Sequence, residues 1–196
     1  HRSQGQLREA FLSFAQVLQN YYAQSAHVVI ARDEILAMLT EGAVDDDAQL
    51  ARYKMIIGQF NMYDLFVIEP FLRIGELYDR RREYDAALRT YDFILAHFRD
   101  LPQETFKAAL ARAETLLKMG ELRQASQTLS ETAEAYRSTY PQLTAEAERR
   151  LTEILYASAK ELQSTKNYDP AAARYRQIIE VNPHHILAHQ GYIECG

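Results

Sequence analysis

Three histidines late in the chain, His184, His185 and His189, with Glu194 and Cys195 close by, have the composition of a metal site. His185 and His189 stand four residues apart and so share a helix face, a spacing that would suit zinc. No HExxH accompanies them, and an ordinary polar helix is the preferred reading. Asp45, Asp46 and Asp47 lack the alternation through a Gly-containing turn that a calcium loop needs. They precede Ala48-Gln49-Leu50, so Asp46 or Asp47 is expected to cap a helix and complement its dipole. Arg80, Arg81 and Arg82, between Asp79 and Glu83, read as a solvated loop with compensated charge rather than a phosphate-binding patch. Glu146 and Glu148 read as surface rather than an acid/base pair. The seven glycines are never spaced as in a phosphate loop, and GxSxG is absent. No catalytic residue, metal ligand or cofactor is therefore expected.

The totals agree with a folded, soluble protein. Of 196 residues 47% are hydrophobic, the content of a folded chain rather than a disordered one. A net charge of −5 disfavours nucleic acid and anionic membrane surfaces, which require clustered Lys and Arg. Cys195 stands alone, which excludes an intrachain disulfide and a Cys-based metal cluster. No apolar run has the eighteen or so residues of a membrane span, and His1-Arg2-Ser3-Gln4 is not the start of a signal peptide. A soluble protein of the cytoplasm or the bacterial periplasm is expected.

The elements that would position any site are helices. In 71–94 the residues Phe71, Ile74, Gly75 and Tyr78, then Tyr84, Ala87, Tyr91 and Ile94, recur at three- and four-residue intervals on either side of a short polar break. That is the pattern of two amphipathic helices facing each other. The methyl group of Ala87 lets the backbones approach, and Tyr91, one turn later, fills the space where they diverge. The same order returns as Leu7, Ala10, Phe14 and Val17, as Leu122, Ala125 and Leu129, and as Tyr168, Ala171, Tyr175 and Ile178. Pro183 ends the last of these sets.

This pattern resembles the tetratricopeptide repeat (TPR), with its aromatic, aliphatic-Gly pair and Tyr on a first helix and Ala-x-x-x-aromatic on a second. The phrase YRSTYPQLTAEAERRL is also similar to the long-helix repeats of bacterial envelope-assembly lipoproteins of the BamD type. The resemblance implies an all-α fold, a right-handed α-solenoid of TPR-like antiparallel helix pairs, forming a single domain over 1–196. Its expected parts are a half repeat at 1–23, a divergent helix pair at 24–62, and repeats at 69–101, 102–140 and 141–183. Residues 184–196 would begin another repeat or cap the array, and the whole would be a piece of a longer TPR protein.

In that family first helices line a concave groove that holds peptides or partner helices. Carried over by position, the groove would present Leu72, Glu76 and Asp79, then Leu110, Glu114 and Leu117, then Tyr156, Lys160 and Gln163. Leu72, Leu110 and Tyr156 flanked by acids would suit an apolar or basic segment of a partner; equally, they could pack between neighbouring first helices. The expected function is a non-catalytic protein-protein interaction scaffold, with no cofactor, no nucleic acid and no membrane insertion. The alternative is a spacer or assembly element that stacks end to end on other domains or on itself, through an apolar face at Leu7 and Phe11 and the helix after Pro183.

Overall fold

The structure, a computed structural model, describes residues 45–59 and 67–196. The expected half repeat at 1–23 and the first part of the divergent helix pair at 24–62 lie outside the described residues. Those described form eight α-helices and no strand: α1 Asp46–Gln59, α2 Ile68–Arg80, α3 Tyr84–His97, α4 Pro102–Lys118, α5 Leu122–Tyr136, α6 Pro141–Ser164, α7 Tyr168–Val181 and α8 Ile186–Cys195. The protein is an all-α array in which helices pack on their sequence neighbours. Among the described residues no helix is long and apolar enough to cross a membrane. The chain divides into two compact units, His1–Arg82 and Glu83–Gly196.

In the first unit α1 packs on α2. Tyr53 and Ile56 are buried, as are Ile68, Leu72, Ile74 and Leu77. The cap of α1 is neither Asp46 nor Asp47: Asp45 accepts from the backbone N–H of Ala48 at 2.7 Å. Its two neighbours do other work, Asp46 pairing with Arg80 and Asp47 with Arg81 at the end of α2. The arginine run is thus compensated by the aspartate run, a pairing across sequence that local reading did not connect. These pairs are exposed, so each contributes at most about 1 kcal/mol.

The second unit is a run of six helices, α3 to α8, each packed on the next. Connections of three residues (119–121, 165–167) alternate with connections of four (98–101, 137–140, 182–185). Loops this short force consecutive helices to run antiparallel. One continuous core runs through them, including Ala113, Leu116, Ala125, Leu129, Leu155, Ala171, Tyr175 and Ile178. A second, smaller core joins Phe106, Ala133 and Ala147, where the first turns of α6 meet α5 and α4. Arg112 ties three helices together, donating to Asp92 of α3 at 2.7 Å and to Thr128 of α5.

The turns are built alike. Arg82, Gly120 and Lys166 each have positive φ, at 62°, 81° and 62°. They stand 38 and 46 positions apart, the same intervals that separate Ala87, Ala125 and Ala171. Each left-handed residue donates its N–H three residues back, Arg82 to Asp79, Gly120 to Leu117 and Lys166 to Gln163. Glu121 and Asn167 then donate to Leu116 and Leu162, completing the double closure that ends a helix in a left-handed cap. The pattern makes the helix pairs repeats of one local plan. Pro141, where the last expected repeat begins, is the first residue of α6, where its missing N–H would have no intrahelical partner.

Candidate functional site

The turn hydrogen bonds put Asp79, Leu117 and Gln163 in register, and hence also Glu76, Glu114 and Lys160, and Leu72, Leu110 and Tyr156. The surroundings of these nine residues differ. Leu72 is 4% exposed and belongs to the buried side of α2, so it presents nothing to a ligand. Glu76 is exposed and accepts from Arg73 at 2.9 Å, while Asp79 is half-buried.

In the second unit Leu110 and Leu117 are half-buried and pack against the main core. Tyr156 is occupied on two sides, its ring edge-on to Tyr175 at 6.0 Å and tilted against His185 at 5.6 Å. Gln163 accepts from the Tyr175 hydroxyl at 2.9 Å and donates to Glu194 of α8 at 2.8 Å. Tyr156 and Gln163 therefore serve chiefly to seat α8 on α6 and α7. Burial pushes the Tyr175 hydroxyl above its ordinary value, as expected for a phenol held in its neutral form. Glu114 and Lys160 are exposed, and among the described residues the Lys160 ammonium donates only to Gln163, at 3.4 Å.

The accessible hollow lies one helical stripe away from Tyr156. A depression of about 540 Å³ opens where α4 turns into α5 against α6, lined by Leu117, Leu122, Ile154, Ala157 and the carboxylates Glu153 and Glu161. Gly120, whose left-handed backbone Arg82 and Lys166 share, leaves this mouth open, with no atom within 4 Å of where a Cβ would stand. Arg149 binds Glu153 and also Glu146, whose carboxyl it holds below the usual range. Glu161 has no hydrogen-bond or ion-pair partner for its carboxylate among the described residues. Of the nine residues expected from sequence, only Leu117 lines this hollow. Ile154, Ala157 and Glu161 follow one another at three and four residues, a stripe legible in the sequence that the buried set Leu151, Leu155 and Ala159 leaves unclaimed.

The histidines do not converge. His185 Nδ1 accepts from the Ala188 N–H at 3.0 Å and caps α8, whereas His189 Nε2 lies 2.8 Å from the Pro183 carbonyl oxygen. An Nδ1 that accepts from a backbone N–H is unprotonated, so the Nε2 of that ring carries the hydrogen. Among the described residues no group of three or more His, Cys, Asp or Glu could hold a metal ion.

No family model matches the chain. No curated protein is similar to it either. Among solved structures, the crystal structure of BtubC (BKLC) from P. vanneervenii aligns with a TM-score of 0.53 at 13% identity, covering 93% of this chain and 74% of that one. At that identity the likeness is one of fold and carries no role across.

Proposed function

We propose that the chain is a non-catalytic protein-interaction module of TPR-like repeats, and that the hollow between α4 and α6 receives a short partner segment with an apolar side chain flanked by Lys or Arg. The observation that carries this reading is the lining itself: an apolar floor with two charged residues, both glutamates. Glu161 in particular offers an acceptor with no internal partner among the described residues. The right-handed sense of the solenoid belongs to the same reading and rests on the TPR resemblance. A selection of displayed dodecapeptides against the chain tests it. Enriched sequences should combine apolar and basic residues and lose binding to an Ala157→Arg variant, which fills the hollow from an exposed position. Enrichment of peptides indifferent to that substitution would place recognition elsewhere.

A second reading has its own observation. On α8, Ile186, Leu187 and Ile193 are 71%, 52% and 76% exposed, an unusual amount of aliphatic surface for one short helix. It supports an assembly role through this helix. Sedimentation at rising concentration would show self-association that Ile193→Lys abolishes; a monomer at every concentration counts against stacking of copies.

A further inference from the structure

The stripe that carries Ile186 and Ile193 on α8 has counterparts on the two earlier first helices. On α4, Phe106, Ala109 and Ala113 follow one another at three and four residues and are buried; on α6, Thr152, Leu155 and Ala159 do the same. The second helix of each pair lies against them. Phe106 meets Tyr136 of α5 edge-on at 6.2 Å, Ala113 shares a core with Ala125 of α5, and Ala159 shares it with Ala171 of α7.

Ile186, His189 and Ile193 repeat those steps on α8, and all three are exposed. The other side of α8 is already occupied, since Ala188 lies in the main core and Tyr192 and Cys195 pack against it. His189 holds its Nε2 at the Pro183 carbonyl oxygen, which leaves the two isoleucines as the apolar content of the stripe. The helix thus presents a first-helix face that no described helix buries, and the earlier pairs define what fits it. The covering segment is a helix with a small residue at the crossing and bulky apolar residues on the turns that follow. Ile193 makes the small residue more necessary, because it stands where α4 and α6 have Ala113 and Ala159.

Outside the pairs already formed, the sequence carries that pattern at Leu7, Ala10, Phe14 and Val17, which have the order and spacing of Tyr84, Ala87, Tyr91 and Ile94. We propose that α8 of one copy receives residues 5–18 of a second copy, with Ala10 opposite Ile193 and Phe14 and Val17 toward Ile186. The contact joins different surfaces on the two copies, so each bound chain keeps one free face of either kind and further copies add head to tail. The proposal rests on the assembly reading above and deepens it, naming the surface that α8 meets.

The test is sedimentation velocity of two variants of the whole chain, Ile193→Lys and Phe14→Lys, alone and mixed in equal amounts. Each alone should stay monomeric where the parent chain associates, its self-association weakened by at least about tenfold. The mixture should form heterodimers and nothing larger, because it holds a single intact pair of faces: α8 of the Phe14 variant and residues 5–18 of the Ile193 variant. A labelled peptide of residues 3–20 gives a second measurement that does not depend on how the Phe14 variant folds its own first residues. By fluorescence anisotropy it should bind that variant and lose at least about tenfold in affinity for the Ile193 variant. A parent chain that is monomeric at every concentration overturns the assembly reading and this inference together. Association abolished by Ile193→Lys but kept by Phe14→Lys leaves the assembly reading standing and overturns this one, since α8 would then meet some other surface. A mixture without heterodimers, together with a peptide that does not bind, also overturns it.

Discussion

The α4–α5 and α6–α7 pairs follow one backbone plan with different fillings. Both turn through a left-handed residue, Gly120 in one and Lys166 in the other, and both bury an alanine five positions later, Ala125 and Ala171. One turn further on, the first pair buries Leu129 and the second Tyr175. The first helix of the earlier pair has 17 residues and that of the later pair 24. The difference shows which features the repeat depends on: the small residue at the crossing and the turn are kept, while the bulky filler and the helix length vary. The added length of α6 is used at its start, where Ala147 joins Phe106 and Ala133 in the smaller core.

The sharpest way to break the later pair alone is Gly191→Ala. A Cβ there would stand 2.3 Å from the Tyr175 ring. That ring is fully buried and its hydroxyl is bound by Gln163, so it has little room to yield. A loss of about 3 kcal/mol is expected in denaturant unfolding, with α8 exchanging its amide hydrogens first. The next test asks whether the two crossings are equivalent: Ala125→Leu and Ala171→Leu should each cost roughly 1–3 kcal/mol. If one of the two melted like the parent chain, that pair would not be closed by its alanine.

The turns give smaller, opposed effects. Gly120→Ala meets no neighbouring atom, so its cost of about 1 kcal/mol would be backbone strain alone. Lys166→Gly should raise stability by up to about 1 kcal/mol, since it relieves a left-handed conformation in a residue with a side chain. Thermal melts of the two variants moving in the same direction would contradict the shared turn. Smallest of all, Ser126→Ala removes a buried hydroxyl without a partner, and a gain of about 0.5–1 kcal/mol is expected in the same melts.

The helix pairs were legible because a three- and four-residue apolar rhythm survives whatever fills the space between helices. Their spacing was legible too, since Ala87, Ala125 and Ala171 mark the crossings. The accessible surface was not. Whether a half-apolar residue such as Tyr156 faces a partner or a neighbouring helix depends on how the next helix crosses, and one residue of offset along α6 turns the stripe by about 100°. That offset separates Tyr156 and Lys160, named from sequence, from Ala157 and Glu161, which line the hollow. Leu72 is buried, which fits the packing alternative of its two expected readings, and a leucine on an amphipathic helix carries no mark that tells a groove from a core. The pairing of Asp46 with Arg80 was hidden because the partners stand 34 positions apart.

A partner segment docked in the hollow between α4 and α6 must shield the amides that border it. Hydrogen exchange of the chain with and without a selected apolar-basic peptide tests it most directly. Added protection is expected in 115–122 and 153–162, and none in either segment for the Ala157→Arg variant. Protection confined to other helices, or unchanged by that substitution, would contradict it.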